Sequence, residues 1–294
     1  MRQGSRLAVP FTALRVVLVF TVILGLAYPL GMVLIAQVPG LHGPANGSMI
    51  AGPNGQPVGS ALIGQSFADA KGNPLRQYFQ PRPSNAGAGY DPTASGASNL
   101  GPASIVDTLP GPGGTATLSL LSRVCQASVA VGQFEGVDGR RPYCTSDGVG
   151  AVLGVFHAEG LTGSVTDVVS VNQACPARPF LATYQAVPVR CAHFDADYGH
   201  AVLTPIRGDA PDAPVVPSDA VTASGSGLDP DISPAYARLQ APRVARARGI
   251  GTDTVLRLID QYTTGPALGV LGAPAVHVLP LNVALDRAYP KRGA

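Results

Sequence analysis

A serine hydrolase needs its nucleophile on a sharp turn, and the G-x-S-x-G elbow is almost present twice, at Gly64-Gln65-Ser66 and Gly96-Ala97-Ser98. In both places the closing glycine is replaced, by Ala68 and by Leu100, so the turn is not encoded. Near-matches of this kind arise by chance in a chain with 36 glycines. The run Gly111-Pro112-Gly113-Gly114 lacks the Lys and the hydroxyl that grip phosphate and magnesium, which excludes a P-loop triphosphatase. His193, Asp195, Asp197 and His200 have metal-ligand chemistry, but their spacing builds no coherent coordination set, and a solvated loop is the expected role. His42, His157 and His277 stand apart from any partner in sequence and are expected to be structural.

The four cysteines, Cys125, Cys144, Cys175 and Cys191, form no Cys-x-x-Cys pair and match no zinc framework. Four cysteines outside a reducing compartment form two disulfides. Three pairings are possible, and Cys125 with Cys144 plus Cys175 with Cys191 is preferred because these close the shortest non-overlapping loops. Arg238, Arg243, Arg246 and Arg248 cluster near a helix end, where they either bind an anionic partner or lie in solvent as favourably placed cations. Both readings stay open at this stage.

These residues must be positioned by 294 residues of which 46% are hydrophobic, enough to bury a core. A net charge of +2 with 13% charged residues suggests neither a nucleic acid nor a polyanionic substrate. From Val16 to Ala36 no residue is charged, and at 1.5 Å per residue the stretch spans about 31 Å, the thickness of a bilayer core. Arg2, Arg6 and Arg15 precede it and no cation follows until Lys71, so residues 1–15 are expected in the cytoplasm and the bulk outside. The apolar run exceeds a signal peptide's core and no Ala-x-Ala site follows, so a retained span at 16–36 is expected. Pro29, with Gly25 and Gly31, is expected to kink it.

Beyond the span, Gly40–Gly59 reads as a flexible tether and Ser60–Phe67 as a short strand. Tyr90–Pro102 is dense in turn formers and reads as an ordered loop. Residues 110–204 hold every cysteine and several β-rich runs, Gly150–Phe156 and Ser164–Val171 among them, and read as a separate, mainly β unit. Its removal is expected to leave a foldable remainder. A Pro- and Asp-rich linker, Arg207–Asp219, leads out of it. Ser233 caps a basic helix that starts at Pro234 and stops at Gly249, with a break near Pro242; Thr252 caps a second helix; and Ala275–Asp286 reads as an edge strand interrupted by Pro280. The fold class is α+β.

Five stretches, GSALIGQSF, YFQPRPS, YDPTASGASNLGP, VTASGSGLDPDISPAYARLQAPRVARARG and LNVALD, occur in one order behind the span and together resemble KdpC, the C subunit of the Kdp potassium-transporting P-type ATPase. The resemblance covers Val16–Leu109 and Ser218–Asp286, with Ala97 where the family usually has Gly, and leaves 110–204 as an insertion without a recognised counterpart. It implies an extracytoplasmic domain built from 37–109 and 205–294, and a non-catalytic accessory subunit of a high-affinity potassium uptake pump, needed for its assembly and stability. The implied partners are a potassium-selective channel-like subunit, an ATP-hydrolysing subunit and a small accessory peptide. Consistent with this, the chain has neither a D-K-T-G-T phosphorylation motif nor a T-V-G-Y-G filter. The family is described as raising the ATP affinity of the hydrolysing subunit, and Ser224-Gly225-Ser226-Gly227 resembles an ABC-type nucleotide signature. The alternative is therefore a directly nucleotide-binding chaperone of that subunit. If Ser224 lies outside, ATP and potassium are handled by the complex and any effect on affinity is transmitted through assembly. Gln65, Arg82, Ser84, Asn99, Asp229 and Arg243 are expected to serve the fold or a subunit interface, and no catalytic or metal site is expected.

Overall fold

The computed structural model describes residues 8–290, so Arg2 and Arg6 of the charge argument lie outside the described residues. The chain divides into two compact units, residues 1–62 and 63–294. In the first, helices α1 (Ala8–Val22) and α2 (Tyr28–Ala36) run on through one π turn at Ile23–Ala27. Together they make a candidate span, Val9–Ala36, of 28 residues and mean hydropathy 2.4, with nothing buried inside the protein. Proline at position 29 cannot donate to the carbonyl of Gly25 and crowds it; the wider π turn sits at that point and absorbs the mismatch.

A short helix α3 (His42–Ala45) and a hairpin of β1 (Met49–Ala51) and β2 (Pro57–Ser60) follow. The tether expected at Gly40–Gly59 is therefore ordered, and the strand expected at Ser60–Phe67 ends at Ser60. Asn54-Gly55 is the reason: it is a hairpin turn signal, and the turn closes by a 2.7 Å bond from Gly52 N–H to the Gln56 carbonyl.

The second unit has a five-stranded sheet and a helical core with a three-stranded sheet of its own. Helix α4 (Leu120–Glu135) precedes strands β3 (Val152–Glu159), β4 (Thr162–Ala174), β5 (Thr183–Tyr184), β6 (Val187–Ala192) and β7 (Val202–Pro205), which form a five-stranded sheet in the order β5-β6-β4-β3-β7. All contacts are antiparallel except β4 with β6. The central strands are apolar on both faces: Val152, Val169 and Val171 belong to one cluster and Leu153, Val155 and Val168 to another. Cys125 is bonded to Cys144 and Cys175 to Cys191, the preferred pairing. Loops of this size each contribute about 3 kcal/mol by the chain-entropy estimate.

Residues 110–204 are mainly β, as expected, with one helix besides: α4 spans 16 residues, capped by the Ser119 side chain accepting from Ser122 N–H. The segment does not fold apart, because Val124, Ala127 and Val131 of α4 pack on the core made by the C-terminal helices.

That core is built by a three-stranded sheet, β8 (Asp231–Ile232), β10 (Ala275–His277) and β9 (Thr263–Thr264) in that order, and by helices α5 (Pro234–Arg248), α6 (Thr252–Gln261) and α7 (Val278–Ala288). Helix α5 begins under a Ser233 cap to Tyr236 N–H at 3.1 Å and continues unbroken past Pro242 to Gly249. In α6 the capping position is Gly251, one residue before the Thr252 expected there. The strand expected at Ala275–Asp286 is β10 for three residues and then α7. Pro280 falls in the first turn of α7, where its missing N–H costs no intrahelical bond, and Leu281, Asn282 and Leu285 turn into the core.

Candidate functional site

The chain from Arg76 to Gln80 is a strap that turns at Arg76–Tyr78, where Tyr78 N–H donates to the Leu75 carbonyl at 3.2 Å, and lies in no named strand; two amide side chains take a strand's place. Asn282 of α7 accepts from Phe79 N–H at 2.9 Å and donates to the Phe79 carbonyl at 3.0 Å. Gln240 of α5 does the same to Gln80, at 2.7 and 3.0 Å. Each pairing satisfies a donor and an acceptor that burial would otherwise leave unmet. Phe79, thus fixed, fills the core with no exposed surface.

Arg243 clamps the same strap from α5. Its guanidinium is buried, with Nε 3.0 Å from both oxygens of Glu135, Nη1 donating to the carbonyls of Arg76 and Tyr78, and Nη2 donating to Gln240 at 2.8 Å. The Phe134 ring covers it at 4.5 Å. Burial pushes the Glu135 carboxyl above its ordinary value and pulls the Arg243 guanidinium below its own, against the attraction between them. Glu135 is the last residue of α4, so the cysteine-bearing segment supplies the counter-charge for a residue of the C-terminal helices. Arg248 makes a second clamp, to Asp286 at 2.8 Å and to the Gln77 carbonyl at 2.8 Å. The four arginines expected as one cluster thus part company: Arg243 and Arg248 hold the strap, Arg238 meets Asp260 at the surface, and Arg246 is exposed.

Beyond Gln80 the strap enters a knot of three loops. Arg82 pairs with Asp229 at 3.1 Å and reaches the carbonyls of Thr222 and Ala223. Ser84 donates to the Gly227 carbonyl at 2.6 Å and accepts from Tyr90 N–H at 2.8 Å, while the Tyr90 hydroxyl returns to the Arg82 carbonyl at 2.6 Å. Burial raises the pKa of the Tyr90 phenol, and likewise that of Tyr236. The Ser226 carbonyl accepts from Gly96 N–H and from the Ser95 hydroxyl. Within Ser224–Gly227 the Ser226 hydroxyl accepts from Leu228 N–H at 3.1 Å and that of Ser224 from Asp229 N–H at 3.4 Å. Two glycines permit the closeness: a Cβ on Gly64 would lie 2.5 Å from the Asp229 carbonyl oxygen, and one on Gly227, at φ +70°, 2.9 Å from Ala86 N.

A cavity of about 430 Å³ separates this knot from α4, lined by Pro81, Arg82, Tyr90, Phe134, Glu135 and Tyr236 among others. Gln65 is half-buried and Asn99 exposed, and neither side chain joins the network. His277 has the partner its sequence did not suggest, Asp231 at 2.7 Å. No group of three or more His, Cys, Asp or Glu side chains suited to a metal occurs among the described residues, and Asp197 instead accepts from Gly199 N–H.

The profile of the K+-transporting ATPase c chain, KdpC, matches residues 11–106 and 198–287. The chain belongs to the KdpC family. Proteins named potassium-transporting ATPase KdpC subunit are 37% identical in Caulobacter vibrioides, over 92% of this chain and 89% of the relative, and 36% identical in Kineococcus radiotolerans, over 95% and 93%. The Mycobacterium tuberculosis relative of that name is 34% identical over 94% of this chain and 96% of its own. Such coverage is out of reach without the block between residues 106 and 198 that the profile omits, so these relatives carry a counterpart of it. The segment first taken as unmatched is a shared part of this branch of the family. Within the family's chain the structure brings together Arg82, Ser84, Asp229, Arg243 and Ser224–Gly227 in adjoining networks. Sequence reasoning missed Glu135, Gln240 and Asn282; the one available signal was a lone acidic residue at the foot of a capped apolar helix.

Proposed function

We propose that the chain is a non-catalytic, membrane-anchored subunit of a potassium uptake pump whose folded bulk lies outside the cytoplasm. It assembles there with a channel-like subunit, an ATP-hydrolysing subunit and a small accessory peptide, and its task is to stabilise that assembly. The observation that carries this reading is the use made of the motif residues: Arg82 and Ser84 spend their hydrogen bonds on neighbouring loops, and both serines of Ser224–Gly227 hold the backbone of their own loop. A nucleotide phosphate needs several converging donors, and here the backbone N–H groups of Gly227, Leu228 and Asp229 are already donated to the Ser224 carbonyl, the Ser226 hydroxyl and the Ser224 hydroxyl. Two disulfides support an oxidising compartment for the bulk. Any influence on ATP affinity then passes through contacts with the other subunits, a coupling between sites on different chains.

Arg82→Ala removes one half of the Asp229 pair and loosens the knot. The expected result, for the tagged complex from potassium-starved cells, is less assembled pump per cell with near-normal ATP turnover per assembled pump. Full assembly with abolished turnover would contradict the reading.

A further inference from the structure

Tyr236 stands in the first turn of α5 and is 4% exposed. Its backbone N–H takes the Ser233 cap, but its hydroxyl has no hydrogen-bond partner among the described residues. The fully enclosed side-chain atom left without a partner there is Arg141 Nε, so the Tyr236 hydroxyl is not sealed in. What it opens on is the cavity of about 430 Å³ between α4 and the loop knot, which the residue lines. A buried hydroxyl with nothing to bond costs free energy, whereas the same hydroxyl at the floor of a site is the polar handle by which a ligand is oriented. Burial raises the pKa of this phenol, which therefore stays protonated and able to donate.

The rest of the wall narrows the choice of occupant. Pro81, Pro83, Val131 and Phe134 make it mostly apolar. Its charged groups are already matched within the protein, Glu135 by Arg243 and Arg82 by Asp229, so neither an anion nor a cation finds a free counter-charge. The second phenol, Tyr90, spends its hydroxyl on the Arg82 carbonyl. Three aromatic rings and two prolines present rigid, flat surfaces, which suit a ring system better than a flexible chain that must give up its freedom to enter. The volume lies in the range of small-molecule sites, roughly 300–1,000 Å³. We infer that this cavity binds an uncharged, mainly apolar ring compound with a carbonyl or hydroxyl oxygen that accepts a hydrogen bond from the Tyr236 hydroxyl. The inference stands on the cavity alone and does not depend on the function proposed above.

Benzophenone serves as the probe, being uncharged, with two rings and one carbonyl, and attaching to neighbouring C–H bonds on illumination. With the full chain in lipid nanodiscs, label on the peptide carrying Val131 and Phe134, read by mass spectrometry, should saturate as the probe is raised. Label on the span, reached through the lipid, should rise in proportion and provides the reference. Tyr236→Phe should cut the cavity label about fivefold relative to the span at subsaturating probe, the loss of one neutral hydrogen bond. Its melting temperature should equal or exceed that of wild type, because the hydroxyl removed has no partner in the protein. The charged analogue 4-benzoylbenzoate should leave the cavity peptide unlabelled at the same concentration. Cavity label that never saturates, that Tyr236→Phe leaves unchanged, or that the charged analogue reproduces overturns the proposal and leaves the space to water or to a neighbouring chain. A variant that melts several degrees lower shows the hydroxyl to be bonded within the fold and overturns it equally.

Discussion

Glu135→Ala is expected to destabilise the second unit by about 3–5 kcal/mol, because it leaves the Arg243 guanidinium buried among carbonyls with no counter-charge. Both side chains of the pair are 1% exposed, so the guanidinium has already given up its hydration for this partner. The attraction alone is not what makes the effect large; the cost comes from stranding one charge. The double variant Glu135→Ala with Arg243→Met should therefore recover part of the loss, even though it also gives up the clamp on the strap. Chemical denaturation of the purified chain in detergent reads both. A single-variant loss below about 1 kcal/mol would show the pair to be dispensable. The same logic reverses the expectation that residues 110–204 can be excised: the excision removes Glu135, Phe134 and the apolar face of α4 together, and no folded product is expected.

Gly64→Ala and Gly227→Ala should each cost about 2–3 kcal/mol, since the added methyl meets backbone atoms that have no rotamer to escape into. At Gly64 the obstacles are the Asp229 carbonyl and the Tyr90 ring; at Gly227 a left-handed φ adds its own penalty. Gly225 is the internal control. It sits in the same Ser-Gly-Ser-Gly run with nothing within 4 Å of an added Cβ, so Gly225→Ala should change stability by less than about 0.5 kcal/mol. Thermal unfolding of the three variants separates a run that packs from a run that binds. Equal melting temperatures for all three would contradict the packing account.

The sequence made the span, the cap at Ser233 and the ordered loop after Tyr90 legible, because each is a local signal: an unbroken apolar run, a Ser-Pro start, a density of turn formers. The disulfide pairs were accessible for a similar reason, being close in chain order. Helix α4 was missed although Ser119 and Gly136 bracket it, since the cysteines and β-rich runs around it drew the whole segment toward a strand reading. Pro280 misled in the opposite sense. A proline among apolar residues suits a strand edge or a helix's first turn equally, and the burial of Asn282 and Leu285 decided for the helix. The least legible feature is the strap. Gln240 and Asn282 act by pairing with backbone some 160 and 203 residues away, and no propensity or period announces an amide that stands in for a strand. Glu135 and Arg243, 108 positions apart, are hidden in the same way.

The central claim, that the bulk of the chain and its Ser-Gly-Ser-Gly run face outward, can be tested with one thiol. All four native cysteines are disulfide-bonded, and Gly225 is exposed with open space at its Cβ position, so Gly225→Cys provides a single accessible sulfhydryl without disturbing the knot. A membrane-impermeant maleimide applied to intact spheroplasts should label this variant as fully as it does after permeabilisation. Labelling that appears only once the membrane is opened would place the run beside cytoplasmic ATP and contradict the account.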